Sequence, residues 1–275
     1  MEQRKVPLRS PEGFDQTDGR IMSVLLALIS VVAVSLVSLV GLVAISMDEA
    51  RVRRLATFFV SFAVGALLGD AFIHLIPEAF AAPREAPLGA SLLILAGVMI
   101  FFVVEKLLLH RHGVLHEQYH GREDVSRPEL VAINLLGDAI HNFIDGIMIG
   151  ASYLVSPELG LSTTMAVLLH EIPQELGDFG ILVHSGLSVR KAVLLNLASA
   201  SVAIVGTATS LIVAAFAHGF VVASLIPITA GGFVYLAAAD LIPELQHDRS
   251  LGALGVQTSL IAAGIGIMGL LRLIG

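Results

Sequence analysis

The chain has 275 residues, of which 56% are hydrophobic and 14% are charged, and its mean hydropathy is +0.86. This composition is typical of a polytopic membrane protein and excludes an ordinary soluble domain. The net charge of -7 excludes a basic nucleic-acid-binding domain, and the absence of cysteine excludes disulfides and thiolate metal sites. Any bound metal must therefore use nitrogen and oxygen ligands.

The chain begins with a polar stretch, residues 1–20, which predicts an N-terminal tail. The apolar run after it exceeds the core of a signal peptide, about 7–15 residues, and predicts a retained transmembrane helix. We expect one transmembrane domain, 21–275, with eight apolar segments that each approach the roughly 20 residues needed to cross a bilayer. They cover about 21–46, 55–79, 88–109, 130–154, 161–184, 189–216, 221–244 and 254–274.

The basic residues predict the orientation of these segments. Loops on one side carry almost all of them: Arg51, Arg53, Arg54, Arg111, Arg122, Arg127, Arg190, Lys191 and Arg249. Loops on the other side carry only Arg84. The positive-inside rule places the basic loops in the cytoplasm and both termini outside. We expect the membrane to be a bacterial inner (plasma) membrane.

The second and seventh segments resemble each other. One ends His74-Leu-Ile-Pro77-Glu78 and the other Asp240-Leu-Ile-Pro243-Glu244. Because these helices would run in opposite directions, the pair is typical of an inverted repeat, although Leu-Ile-Pro-Glu is also a common helix ending. The acidic and imidazole groups Asp70, His74 and Asp240 either stage a cation along a pathway or hold the two halves together by hydrogen bonds.

Two neighbouring segments carry polar stripes. The fourth has four residues at i, i+3, i+4 and i+7, on one helical face: Asp138, His141, Asn142 and Asp145. The fifth has a wider stripe: His170, Glu171, Gln174, Glu175 and Asp178. Neither segment contains lysine or arginine, so these groups need another partner at membrane depth, and the natural partner is a cation.

We predict that seven of these residues bind metal: His141, Asn142, Asp145, His170, Glu171, Gln174 and Glu175. Asp138 and Asp178 either line the pathway or are hydrated helix ends. Asn142 and Gln174 are weaker ligands that favour exchange of the ion, and hydrogen bonds between helices are their alternative role. Pro173 opens the helix at Leu169 and favours a polar passage. We expect Glu105 to pair with the adjacent Lys106.

The third cytoplasmic stretch is rich in histidine. Four histidines follow each other at spacings of two, four and four: His110, His112, His116 and His120. If the stretch is partly helical, they can bind a transition metal on the cytoplasmic side. A solvated polar loop is the alternative.

The two polar stripes resemble signatures of the ZIP (Zrt/Irt-like) family of divalent-metal transporters. His141-Asn142-Phe-Ile-Asp145-Gly146 is similar to HNFxDG, and the stretch from His170 to Phe179 is similar to HEIPHELGDF. The resemblance covers the chain after residue 20. It implies eight helices, with an inverted repeat of helices 1–3 and 6–8 flanking helices 4 and 5. It also implies uptake toward the cytoplasm by alternating access.

The resemblance further implies a binuclear metal centre. Its ligands would be His141, Asn142, Asp145, His170, Glu171 and Gln174. This chain departs from the family at Gln174, where the branch has histidine. It also departs in helix six, where some relatives have glutamate and this chain offers only Asn196, Ser199 and Ser201. Strict zinc preference and a second bound ion therefore stay open.

Other functions compete with zinc transport. His170-Glu171-x-x-Gln174 is one residue away from the HExxH of zinc hydrolases, but the second histidine is missing and Pro173 distorts the helix. We therefore expect no enzyme and no cofactor beyond a transported ion. Mn²⁺, Fe²⁺ or Cd²⁺ are alternative cargoes, and a metal sensor is a further alternative. Expected partners are divalent metal ions and the lipid bilayer; the choice between monomer and homodimer stays open.

Overall fold

The computed structural model describes residues 15–81, 87–119, 127–247 and 250–274. Every regular element in these ranges is a helix. The α-helices are α1 (Asp15–Ser35), α2 (Val40–Ala44), α3 (Glu49–Gly69), α4 (Ile76–Ala81), α5 (Pro87–Tyr119), α6 (Arg127–Val155), α7 (Pro157–His184), α8 (Val189–Ala200), α9 (Val202–Tyr235), α10 (Ile242–Leu245) and α11 (Leu251–Ile274). A 3-10 helix, Leu36–Leu39, joins α1 to α2, and π-helices join α3 to α4 (Asp70–Leu75) and α9 to α10 (Leu236–Leu241).

Five helical stretches in the described ranges are long and apolar enough to cross a membrane. They are Gly19–Ala44, Arg54–Ala81, Leu88–Leu107, Val189–Leu245 and Leu251–Leu273. The prediction of an all-helical protein with apolar membrane-spanning helices is confirmed for the described residues. Helices α6 and α7, which carry the two polar stripes, are not in this set.

The stretch Val189–Leu245 covers the sixth and seventh predicted segments, 189–216 and 221–244, and the chain breaks between them. It contains 57 residues and is interrupted only by short irregularities. A straight helix of that length would measure about 85 Å, far more than the roughly 30 Å of a bilayer core. Ala217, with φ -145° and ψ 47°, breaks the helical path inside α9 and lets the chain change direction.

Two predicted boundaries differ from the structure. Helix α1 begins at Asp15, inside the predicted polar tail. The predicted histidine-rich loop is also helical as far as it is described, because α5 continues to Tyr119 and passes through His110, His112 and His116. The fourth histidine, His120, lies outside the described residues.

The two similar segments share a rare element at the same place. Each π-helix lies directly before an Ile-Pro-Glu sequence. A proline has no N–H to donate, which favours a shift of the backbone hydrogen bonds next to it. Ile76 N–H donates to Ala71 O, and Ile242 N–H donates to Ala237 O, five residues back in both cases. Both π-helices carry predicted pathway residues.

The same two segments also pack in the same way. A Cβ atom on Gly65 of α3 would lie 2.1 Å from the carbonyl oxygen of Ile261 in α11. A Cβ atom on Gly231 of α9 would lie 2.0 Å from the carbonyl oxygen of Ile94 in α5. Only glycine permits so close an approach of two helix backbones. Thus α3 packs on α11 as the second half of α9 packs on α5.

Helices α6 and α7 form a tight hairpin at the centre of the bundle. Ser156 alone links them; its hydroxyl accepts a hydrogen bond from Leu159 N–H at 3.1 Å, and Pro157 occupies the first turn of α7. At the far end, Gly186 has a φ of 90°, which favours glycine, and ends α7. The hairpin holds the two polar stripes side by side.

Candidate metal centre

Four side chains from the polar stripes converge in the hairpin. One ligand atom from each of His141, Asp145, His170 and Glu171 lies within 4.8 Å of all the others. The two histidine Nε2 atoms are 3.3 Å apart. Asp145 Oδ2 lies 3.2 Å from His170 Nε2 and 3.5 Å from His141 Nε2. Glu171 Oε1 lies 3.6 Å from both Nε2 atoms. We call these four residues the quartet.

The spacing of the quartet matches that of a tetrahedral metal site. Zinc binds imidazole nitrogen and carboxylate oxygen at about 2.0–2.2 Å. The corners of a regular tetrahedron of that size lie about 3.3–3.6 Å apart. The five measured pairs lie between 3.2 and 3.6 Å. One ion could therefore contact all four atoms with little movement of the helices.

The ring of His170 is oriented for metal binding. Its Nδ1 lies 3.0 Å from the backbone carbonyl of Ala166, one turn earlier in α7. A carbonyl oxygen only accepts, so Nδ1 must donate its proton there. The neutral ring then keeps a free lone pair on Nε2, which is the atom in the quartet. A backbone partner of this kind fixes the tautomer of metal-binding histidines.

The quartet is buried, and no lysine or arginine of the described residues forms an ion pair with it. Asp145, Glu171 and His170 are at most 2% exposed, and His141 is 17% exposed. Asp145 Oδ1 and Glu171 Oε1 have no hydrogen-bond partner among the described atoms. Buried carboxylates without partners are costly, and α7 contains no lysine or arginine at all. A cation would supply the missing charge and the missing contacts.

The three remaining predicted ligands lie beside the quartet. Asn142 is fully buried, and its amide donates to the Asp138 carboxylate at 2.8 Å. Glu175 accepts a short hydrogen bond from the Asn196 amide. Gln174 lines a cavity that also borders His141. Four of the seven predicted ligands thus form the quartet, and a metal-binding role for the other three stays a prediction.

On the side of the quartet toward Ser156, a row of polar groups joins α3 to the hairpin. Thr163 Oγ1 lies 2.9 Å from Asp70 Oδ2 and 3.0 Å from Ser152 Oγ. His74 Nδ1 lies 3.2 Å from Asp70 Oδ1. These four residues are buried, so the π-helix presents Asp70 and His74 to the core. Spacing alone did not single out Ser152 and Thr163, because hydroxyls are ordinary in packed helices.

A cavity of about 180 Å³ adjoins His141 on another side. Its polar lining includes Glu105, Gln174, Tyr235 and the predicted pathway residue Asp240. The expected ion pair between Glu105 and Lys106 does not form, because adjacent residues on a helix point to different sides. Glu105 Oε2 is buried without a hydrogen-bond partner instead. Glu105 is an acidic residue inside an apolar run, and this pattern could have revealed its place in the cavity lining.

A helical membrane bundle whose core brings two imidazoles and two carboxylates within reach of one ion defines a membrane metal-binding protein. The profile of the family described as ZIP zinc transporter matches residues 22–129 and 109–272. The chain is 34% identical to zinc transporter SLC39A7 of Canis lupus familiaris, over 75% of this chain and 61% of the relative. It is 36% identical to zinc transporter ZIP13 of Pongo abelii, over 78% and 66%.

A third relative is zinc transporter ZIP4 of Mus musculus, 34% identical over 70% of this chain and 38% of the relative. The chain belongs to the ZIP zinc transporter family, as its two motifs predicted. It is therefore an integral membrane protein from a family of transporters, and the prediction that it is not an enzyme is confirmed. The alignments span about two thirds or less of the length of these three relatives.

Proposed function

We propose that this protein transports a divalent metal cation, with Zn²⁺ as the main cargo and uptake toward the cytoplasm. The quartet is the observation that carries the proposal, because four ligand atoms at tetrahedral spacing lie in the core without a basic partner. The relatives named zinc transporters support it. A mixed nitrogen and oxygen ligand set also suits Mn²⁺, Fe²⁺ and Cd²⁺, which are the alternative cargoes.

We propose eight membrane crossings, with 1–20 as the tail and 21–275 as the transport domain. Four of the five apolar stretches supply one crossing each, Val189–Leu245 supplies two through its break at Ala217, and α6 and α7 supply the rest. The equivalent π-helices and glycine contacts support an inverted repeat of helices 1–3 and 6–8 around α6 and α7. Basic loops favour external termini.

The proposed route for the ion follows the buried polar groups. The ion would meet Asp70 and His74 first, then the quartet, and then Asp138 and Asp178 on the cytoplasmic side. Asp240 would stage the ion in the cavity beside His141. We propose that alternating access moves the hairpin against the helices that carry the π-helices, since Thr163 of the hairpin contacts Asp70 across this boundary.

Several further properties are proposed on the sequence alone. No cofactor is expected beyond the transported ion, and the choice between a monomer and a homodimer stays a prediction. A metal-binding role for the histidines of α5, with His120, also stays a prediction. The sequence favoured a bacterial plasma membrane, whereas the relatives described above come from animals. The membrane in which the protein works is therefore a prediction too.

Flux into liposomes tests the proposed function. Purified protein is reconstituted into vesicles that contain a zinc-sensitive dye, and external Zn²⁺ is added. We expect dye response in the wild type and loss of at least about 90% of the flux in His141→Ala and in Glu171→Ala, since each removes a ligand. Glu158→Gln, which neutralises an exposed carboxylate on the same helix as Glu171, is the matched control and should retain wild-type flux. Full flux in both ligand variants would exclude the quartet from transport.

The position of Gln174 provides a test of metal preference. We expect Gln174→His to increase the preference for Zn²⁺ over Mn²⁺, because it adds a softer nitrogen ligand beside His141. The measurement is competition by Mn²⁺ or Fe²⁺ against Zn²⁺ flux in the same vesicles. Gln174→Asn, which keeps the amide, is the control. An identical competition profile in Gln174→His and wild type would show that this position does not tune selectivity.

A further inference from the structure

We propose that a groove between the start of α1, the end of α6 and the middle of α9 binds one anionic phospholipid. The groove has a volume of about 610 Å³. That volume lies within the roughly 300–1,000 Å³ typical of small-molecule sites. Its lining on α6 reaches Val155, next to the Ser156 link of the hairpin. We call it the α1–α9 groove.

The α1–α9 groove lies at one surface of the membrane. Arg20, which lines it, is the second residue of the apolar stretch Gly19–Ala44. His218, which also lines it, follows the break at Ala217 that separates the proposed sixth and seventh crossings. The start of one crossing and the break between two others both mark the edge of the hydrocarbon core. Phospholipid phosphates lie at that level, so both side chains are placed to meet one.

The charge of the lining favours an anion. Arg20 carries a positive charge, and His218 and Ser23 add ring N–H and hydroxyl donors. Among the described residues that line the groove there is no aspartate or glutamate. A guanidinium binds two phosphate oxygens at once through parallel hydrogen bonds. The cavity beside the quartet has the opposite character, because Glu105 and Asp240 line it.

The rest of the lining suits an acyl chain. Val24, Leu154 and Leu211 contribute apolar side chains from three helices. Val24 lies about one turn deeper than Arg20 along α1, and Leu211 lies about two turns before the break in α9. A phospholipid has its phosphate at the membrane surface and its acyl chains below. The polar and apolar parts of the groove follow in the same order.

Tyr153 fixes the inner wall of the groove. Its hydroxyl and that of Ser30 in α1 form a hydrogen bond of 2.8 Å. A Cβ atom on Gly160 of α7 would lie 2.2 Å from the Tyr153 ring, so this ring packs directly on the α7 backbone. A wall held from two sides makes a preformed site, which loses less conformational freedom on binding than a flexible one.

The lining also selects between phospholipid headgroups. The phosphate diester carries one negative charge, which Arg20 balances. Phosphatidylcholine adds a positive choline group, for which the described lining offers no carboxylate. Phosphatidylglycerol adds only hydroxyl groups. We therefore expect phosphatidylglycerol to bind about 5-fold more tightly, which is the effect of one exposed ionic contact.

Native mass spectrometry of the full-length chain in detergent tests the site. The protein is mixed with phosphatidylglycerol and phosphatidylcholine of identical acyl chains, and the retained lipids are counted. We expect one retained phosphatidylglycerol per chain, at the preference given above. Arg20→Gln should abolish the preference, and Ala215→Leu, which fills the groove without a change of charge, should reduce retention of both lipids. Arg272→Gln, which removes an exposed basic residue from the last turn of α11, is the matched control and should behave like the wild type.

Thermal unfolding gives a second readout of the same site. Phosphatidylglycerol should raise the unfolding temperature of the wild type, because a ligand of the folded state stabilises it. Inorganic phosphate, which has no acyl chain, should not; an equal rise with phosphate would overturn the lipid site. Equal retention of the two lipids by the wild type, or wild-type retention in Arg20→Gln, would overturn it as well. If Arg20→Gln does not fold, retention in Ala215→Leu decides in the same way.

Discussion

Replacement of His170 by alanine is expected to weaken zinc binding more than any other single change in the quartet. His170 Nε2 lies 3.3 Å from His141 Nε2 and 3.2 Å from Asp145 Oδ2, and its ring is held by the Ala166 carbonyl. Loss of a residue that only supports a ligand weakens metal binding about 10–100-fold. Loss of the ligand itself should weaken the tighter Zn²⁺ binding step by more than about 100-fold.

Isothermal titration of the purified protein with Zn²⁺ measures this effect. His184→Ala is the matched control, because His184 ends the same helix and is exposed. We expect its binding constant to equal that of the wild type. A tight binding step that survives unchanged in His170→Ala would show that zinc binds elsewhere.

Replacement of Gly146 by alanine is expected to cause the largest loss of stability. A Cβ atom at Gly146 of α6 would lie 1.9 Å from the carbonyl oxygen of Ala203 in α9. The obstacle is backbone, so it cannot move aside as a side chain can, and the two helices must separate. Overpacking of a core typically costs about 1–3 kcal/mol, and we expect the upper end of this range.

Thermal unfolding in detergent, followed by circular dichroism, compares this variant with Gly177→Ala. A Cβ atom at Gly177 of α7 would meet no atom within 4 Å among the described residues. Alanine there should stabilise the helix by up to about 1 kcal/mol, since glycine is the poorer helix former. The same substitution should thus lower the unfolding temperature in α6 and preserve or raise it in α7. Equal unfolding temperatures would show that α6 and α9 do not pack so closely.

The effect of Gly146→Ala should also reach the metal centre. Asp145 is the preceding residue and contributes Oδ2 to the quartet. If α6 moves away from α9, this oxygen should leave its position 3.2 Å from His170 Nε2. We therefore expect Zn²⁺ binding, measured by isothermal titration, to weaken in Gly146→Ala and to stay unchanged in Gly177→Ala.

The sequence alone determined the helical class and the identity of the polar stripes. Helical periodicity places Asp138, His141 and Asp145 on one face, because 3.6 residues make one turn. The lack of lysine and arginine in both stripes already required another positive partner, and the absence of cysteine restricted the ligands to nitrogen and oxygen. The repeated Leu-Ile-Pro-Glu also indicated the two segments that share a π-helix.

The tertiary structure alone decided which atoms meet. Periodicity fixes the direction of a side chain around its own helix, but the rotation and offset between helices depend on packing contacts such as that of Gly146 with Ala203. These contacts bring Asn196 from α8 to Glu175. They also separate Glu105 from Lys106 and turn it into the cavity beside His141. Distances between helices are a property of the packed bundle, and no spacing along one segment encodes them.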